Sequence, residues 1–143
     1  MRYLFILSFL LLSGLMMAQE PIRYGKDQCA FCGMTIRDPH HAAIALSNDN
    51  VTLKFDAIEG LINYLKEHDE ADFAQLWVAD YANKGSWAEA PSATFMISKK
   101  VPSPMGAFLS AFEKLENREQ ILSDKGGDAH DWQTLRETFD LKK

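Results

Sequence analysis

The chain has 143 residues, enough for one domain or for two small halves that share a core. Its hydrophobic fraction of 47% and charged fraction of 24% are those of a globular protein rather than of a disordered or repetitive chain. The formal net charge is -5 and the sequence has no basic stripe, which argues against nucleic acid or an anionic membrane surface as a partner.

Residues 1–18 have the pattern of a secretory signal peptide. Arg2 supplies the positive charge, residues 4–12 form the apolar segment, and Ala18 is a small residue at the expected cleavage point. The chain is therefore predicted to be exported. No cysteine follows the leader directly, which argues against a lipid anchor. An uncleaved leader that anchors the protein is the alternative, so membrane association stays open.

Residues 19–28 are polar and irregular, and they are predicted to form a flexible lead-in to a domain at 29–143. That domain begins with the only two cysteines, Cys29 and Cys32, and Met34 follows two residues later. Three sulfur side chains within six residues favour a soft ion such as Cu(I). A structural zinc site would need two further ligands that the local sequence does not supply. A short-loop disulfide and a redox dithiol remain open at this point.

After this loop, short apolar or alternating runs predict β-strands. The first two runs are separated by a Ser-Asn-Asp-Asn turn and predict a hairpin. The predicted strands lie at residues 42–46, 51–55, 76–81 and 93–98.

Three helices are predicted between and after these strands. The first has Asp56 as N-cap and Glu59 as the second member of a capping box. The second begins at Ser103, a favourable N-cap before a proline, and its apolar face would lie within residues 108–115. The third covers residues 132–139. The mixture of strands and helices indicates an α+β fold.

Two histidines follow the sulfur-rich loop and are candidate accessory ligands. Adjacent side chains on an extended chain point to opposite sides, so at most one of His40 and His41 is expected to reach the loop. Met96 lies inside an apolar strand and is expected to be a packing residue.

The ordered combination of motifs resembles the NosL family of exported copper chaperones, the accessory proteins of nitrous oxide reductase. The residues that carry the resemblance are Cys29-x-x-Cys32-Gly33-Met34-x-Ile36, Phe55-Asp56, Val78-x-Asp80-Tyr81, Trp87 with Ala90, Ala93 and Phe95, and Pro104-Met105-Gly106. They extend over most of the chain after the leader. The resemblance implies two small ββαβ-like halves that share a core, in an architecture related to organomercurial lyase.

The resemblance also implies a function that is not enzymatic. Residues 29–143 would be a NosL-like copper-binding domain that carries Cu(I) in the periplasm. The ion would be delivered for assembly of the copper–sulfide centre of nitrous oxide reductase, or to another copper-accepting protein. Cys29 and Cys32 would be thiolate ligands, and a thioether from Met34 or Met105 would complete the shell.

Two other functions compete with copper delivery. The first is an exported thiol–disulfide redox protein, although a thioredoxin-like site would place the motif after a strand and at a helix start. In this sequence the motif precedes the first predicted strand. The second is a binding module held by a structural disulfide, which predicts indifference to metal ions.

Overall fold

The computed structural model describes residues 20–141, in which two antiparallel sheets form two halves. In the first half the strand order is β2-β1-β3-β4, and one α-helix follows the initial hairpin. A 3₁₀ turn precedes the third strand and another follows the fourth. The elements are β1 (Ala43–Ser47), β2 (Thr52–Phe55), α1 (Ile58–Tyr64), β3 (Phe73–Ala79) and β4 (Trp87–Glu89), with the 3₁₀ turns at Glu70–Asp72 and Ala90–Ser92.

The second half repeats the connectivity of the first. Its sheet has the order β6-β5-β7, so the first strand of each half lies between the other two strands of its ββαβ unit. This confirms the predicted α+β fold with two ββαβ-like halves. The relation to organomercurial lyase stays a prediction. The elements are β5 (Thr94–Ile97), β6 (Leu109–Phe112), α2 (Leu115–Lys125), β7 (Asp128–Asp131) and α3 (Trp132–Thr138).

The two halves share one hydrophobic core. Phe55 of the first half and Phe95 and Leu109 of the second are fully buried in the same cluster. The sheets also meet through their backbones, because Tyr81, just after β3, donates its N–H to the carbonyl of Ala111 on β6 at 2.9 Å. Helix α1 packs against both β1 and β6. Residues of a loop in one half can therefore contact residues of the other half.

The predicted second helix is wrong in its position. Residues 109–112 form strand β6, and the helix begins only at Leu115. The apolar spacing fitted a helical period, but all four residues of β6 are buried and pair with β5, which makes an extended strand the better way to bury them. Ser103 caps no helix. Its hydroxyl instead donates to the carboxylate of Glu59.

The predicted cap of the first helix is also wrong. Ala57 occupies the N-cap position of α1 without a side-chain cap, and Asp56 precedes it. Glu59 is buried, and its side chain reaches across to the second half instead of back to the helix start. In this chain Glu59 therefore makes a tertiary contact instead of the local contact of a capping box.

The remaining elements agree with the prediction to within a few residues at their ends. The hairpin β1–β2, strands β3 and β5, and helix α3 are confirmed. Strands β4 and β7 were not predicted. Both are short, and β7 has the sequence Asp-Ala-His-Asp and is largely exposed, so neither has the apolar run that predicts a strand.

The predicted signal peptide lies outside the described residues. Among residues 20–141, no helix combines the length and the apolar character needed to cross a membrane. The described part of the lead-in contacts the domain through Ile22 and Asp27, both of which are buried. The flexibility of residues 19–28 in solution and the limits of the domain stay predictions.

Asp27 ties this lead-in to strand β2. One carboxylate oxygen accepts from the Lys54 ammonium at 2.8 Å and from the Arg23 backbone N–H at 2.9 Å, and the other accepts from Arg23 Nε at 2.8 Å. These hydrogen bonds, led by that of Lys54, hold the pKa of the Asp27 carboxyl well below its usual range. The carboxylate therefore favours the folded state wherever it is ionised.

We expect Asp27 to make folding sensitive to acid. Its stabilisation is fully present above about pH 4, the pKa region of an aspartate in an unfolded chain, and is lost as the pH falls toward the lower folded pKa. The free energy of unfolding should therefore fall more steeply below about pH 4 for the wild type than for Asp27→Asn. Urea denaturation at a series of pH values measures this. Asp49→Asn, in the exposed β1–β2 turn, is the control, and equal slopes for wild type and Asp27→Asn would refute the expectation.

Candidate metal centre

The two cysteines lie on a tight loop closed by backbone hydrogen bonds. An antiparallel bridge joins Gln28 to Thr35 at its base. Inside the loop the Cys29 N–H donates to the Met34 carbonyl at 2.8 Å, and the Gly33 N–H donates to the Cys29 carbonyl at 2.9 Å. Gly33 has φ 74°, a left-handed conformation that a side chain disfavours. The chain therefore reverses within this segment and brings Cys32 back beside Cys29.

The loop is attached to strand β2. The Ala30 N–H donates to the Lys54 carbonyl at 2.8 Å, and the Lys54 ammonium pairs with Asp27 just before the loop. Ile36, just after the loop, is fully buried. These contacts hold the start of the loop on strand β2 and beside α1, and Ile36 anchors the end of the loop in the hydrophobic core.

The two cysteines are free thiols with different exposure. Cys29 is 3% exposed, whereas Cys32 is exposed. The Cys32 N–H points at Cys29 Sγ with an N–S distance of 3.5 Å. Desolvation of the Cys32 sulfur raises the pKa of its thiol, and the neighbouring Cys29 and Asp56 add to the rise. Cys32 is therefore a protonated thiol at neutral pH.

Met105 is the methionine that the fold brings to Cys29. Both sulfur atoms lie against Gly60 of helix α1. A Cβ added to Gly60 would lie 3.3 Å from Met105 Sδ and 3.6 Å from Cys29 Sγ. The two sulfurs are therefore no further apart than the sum of these distances. They come from opposite halves of the fold, and the glycine leaves space between them.

Met34 lies on the open side of the same region. Its side chain is 61% exposed and lines a cavity of about 460 Å³ together with Asp56 and Pro104, the residue before Met105. The loop of Met34 and the loop of Met105 therefore face each other across this cavity. The predicted residues Cys29, Cys32, Met34 and Met105 fall in one neighbourhood; their role as ligands stays a prediction.

Asp56 lies beneath the cysteine loop. It is 4% exposed, and the backbone N–H of Arg37 donates to its carboxylate. Burial, reinforced by the negative charge of Asp38, raises the pKa of the Asp56 carboxyl. Asp56 therefore lines the cavity beside Met34 and does not cap the helix.

His40 and His41, the candidate accessory ligands, do not line the cavity beside Met34. His41 is buried, with Nδ1 2.8 Å from an Asp38 carboxylate oxygen and Nε2 3.2 Å from Ser110 Oγ. Both ring nitrogens are engaged, so His41 has no free nitrogen for a metal ion. His40 and His41 both pack against the Tyr81 ring, and they line a cavity on that side of the molecule rather than the one beside Met34. Between residues 20 and 141, no three or more His, Cys, Asp and Glu side chains gather as a metal site.

Two residues of this region were not recognised from the sequence. Gly60 separates the two sulfurs, and Glu59 binds the segment that carries Met105. A glycine inside an apolar helix was the available signal, because such a glycine often marks a close approach. The partners of that approach are distant in sequence.

The comparison with known proteins assigns the chain to a family. The sequence matches the NosL family model over residues 23–139, most of the chain. The chain belongs to the NosL family. Its structure is also similar to the crystal structure of the copper chaperone NosL from Shewanella denitrificans, with a TM-score of 0.68 and 16% sequence identity. The match covers 80% of this chain and 93% of that NosL chain. At this identity the likeness establishes the fold.

Membership of the NosL family confirms that the chain is not an enzyme. No curated protein matches the sequence.

Proposed function

We propose that this NosL-family protein is a Cu(I) metallochaperone that holds the ion as cargo between its two halves. The observation that carries the proposal is that Cys29 Sγ and Met105 Sδ both lie against Gly60. Cys29 and Cys32 would supply thiolates, Met105 a thioether, and Met34 a further thioether at the open side. Any ion on the line between Cys29 Sγ and Met105 Sδ would lie over the bare Cα of Gly60.

The chemistry of these donors favours Cu(I). Thiolates and thioethers are soft ligands that select Cu(I) over hard ions, and zinc sites are built from thiolate, imidazole and carboxylate. The ion itself would displace the proton from the Cys32 thiol, whose pKa is raised. A thioether carries no proton to lose, so that part of the shell would stay available in acid.

The unequal exposure of the donors supports release to a partner. Cys29 is buried and would hold the ion, whereas Cys32 and Met34 are exposed and can be approached. Phe31, between the cysteines, is 43% exposed and adds an apolar rim. A partner's ligand would replace Cys32 or Met34 first, and Cys29 would leave last. Cu(I) would thereby stay bound throughout the transfer.

We further propose that transfer takes place in the periplasm after export, and that the recipient is nitrous oxide reductase during assembly of its copper–sulfide centre. The predicted leader at residues 1–18 supports export. Membership of the NosL family and the likeness to a NosL described as a copper chaperone support a copper-accepting partner. Another exported copper protein is the alternative recipient.

The recipient can be tested in a nitrous oxide-respiring bacterium that lacks its own NosL gene. Expression of this chain should restore copper to the purified reductase and restore nitrous oxide reduction. The double variant Cys29→Ser/Cys32→Ser, exported to the same level, is the control and should leave the reductase poor in copper. Equal copper content of the reductase with wild type and with the double variant would refute delivery by this site.

The redox alternative predicts a different result. A thiol–disulfide enzyme should reduce insulin in a reaction that depends on both cysteines and needs no copper. We expect no such turnover from the purified wild type. Turnover that Cys29→Ser abolishes would favour the redox function instead.

A further inference from the structure

Glu59 is a buried carboxylate that connects helix α1 to the segment carrying Met105. It is fully buried, and its Oε1 accepts from the Ser103 hydroxyl and from the Leu109 N–H, the latter at 3.4 Å. Within residues 20–141, the other oxygen, Oε2, has no hydrogen-bond partner. Burial raises the pKa of this carboxyl. Such a group is costly to bury, because one oxygen has lost its water without replacement.

Ser103 transmits this contact to residues 103–108, the Met105 loop. Its Oγ accepts from the Phe108 N–H at 2.9 Å while its hydroxyl donates to Glu59, and its carbonyl accepts from the Gly106 N–H at 3.0 Å. One serine therefore joins both ends of the Met105 loop to the helix. The loop needs such support, because Phe108 has φ 64°, a conformation that residues with a Cβ avoid.

The same turn of α1 contains the residue that binds the Met105 loop and the residue that leaves space beside the two sulfurs. Gly60 directly follows Glu59, and the bare Cα of Gly60 faces Met105 Sδ and Cys29 Sγ. A shift of the Met105 loop relative to α1 would carry Met105 away from Cys29. Packing does not require a carboxylate here, since an apolar side chain of similar size would fill the place without a bare oxygen.

We propose that Glu59 is a positioning residue that, through Ser103, holds the Met105 loop so that Met105 Sδ faces Cys29 Sγ across Gly60. This inference rests on the proposed Cu(I) function and adds a residue that touches no metal. Groups that orient metal ligands without binding the ion typically change metal affinity about 10- to 100-fold when removed. Glu59 and Ser103 should therefore affect copper through Met105 alone.

A double-mutant cycle between Ser103 and Met105 tests this. Cu(I) affinity is measured by chelator competition for the wild type, Ser103→Ala, Met105→Leu and the double variant. We expect Ser103→Ala to weaken binding about tenfold or more in the wild-type background and to add nothing in the Met105→Leu background. X-ray absorption of copper-loaded Ser103→Ala should show one sulfur ligand fewer than the wild type. Ser92→Ala, an exposed serine elsewhere, is the matched control and should leave affinity unchanged.

Two further readouts separate positioning from a general loss of stability. In the metal-free protein, hydrogen exchange at the Phe108 amide should be faster in Ser103→Ala than in the wild type. Glu59→Gln keeps an oxygen acceptor for Ser103 and Leu109, so it should retain near-wild-type affinity. If Ser103→Ala does not fold, the cycle is run with Glu59→Met, which removes the acceptor and conserves volume.

Each outcome of this cycle has a distinct meaning. An equal loss of affinity from Ser103→Ala in both backgrounds, or an unchanged sulfur count, would overturn the positioning role while the copper site stands. A large loss in Glu59→Gln would assign the effect to charge and would overturn it as well. Absence of Cu(I) binding by the wild type would refute the proposed function, and the inference with it.

Discussion

Replacing Cys29 by serine is expected to weaken Cu(I) binding at least about a hundredfold, or about 3 kcal/mol of binding free energy. Cys29 is the buried sulfur of the pair, and its Sγ lies against Gly60, as Met105 Sδ does, and 3.5 Å from the Cys32 nitrogen. A serine oxygen is a hard donor that Cu(I) does not favour, and its hydroxyl does not ionise as a thiol does. The variant therefore loses the donor around which the site is built.

The measurement is chelator competition on the reduced protein, with thermal unfolding to confirm that the variant is folded. Met96→Leu is the control, since Met96 is a fully buried methionine of the core around Phe112 and should not affect copper. Cys32→Ser should also weaken binding. A folded Cys29→Ser protein with wild-type affinity would exclude Cys29 as a ligand.

Replacing Gly60 by alanine is expected to lower copper affinity without lowering stability. Alanine favours a helix over glycine by about 1 kcal/mol. The new methyl would lie 3.3 Å from Met105 Sδ, the end of a flexible side chain that can shift by a few tenths of an ångström. Stability should therefore stay constant or rise. A methyl on Gly60 would enter the space beside both sulfurs in which the ion would lie, so affinity should fall about tenfold or more.

The control for this variant is Gly85→Ala, in a distant turn. Gly85 has φ 89° and open space around it, so alanine there should lower stability through backbone strain and leave copper affinity unchanged. Thermal unfolding and chelator competition on both variants give the comparison. A Gly60→Ala protein that binds Cu(I) as tightly as the wild type would contradict the location of the ion over this helix.

The parts of the fold that follow from local pattern were predictable. The run at residues 42–46 is apolar without a break, which suits the central strand β1, and the third helix is correctly predicted at Trp132. The stretch around Leu109 was not, because its apolar spacing suits a helix as well as a strand. Pairing with β5 and burial on both faces decide for the strand, and neither is visible in the local sequence.

The candidate site also has a part that the local sequence predicts and a part that depends on tertiary packing. Cys29, Cys32 and Met34 are within six residues, so their proximity needs only a tight loop. Met105 was assigned from family resemblance alone, because its approach to Cys29 depends on how the two halves pack. Gly60 belongs to that same tertiary contact. A glycine inside an apolar helix indicates a close approach, but the local sequence does not identify the partners.

The measurement that tests the central claim most directly is an anaerobic titration of the reduced wild-type protein with Cu(I) against a chromophoric chelator, followed by X-ray absorption of the loaded sample. We expect the protein to take one Cu(I) ion from the chelator and to hold it in a shell of sulfur ligands. Failure to compete with the chelator, or a shell dominated by nitrogen or oxygen, would contradict a Cu(I) site built from Cys29, Cys32 and Met105.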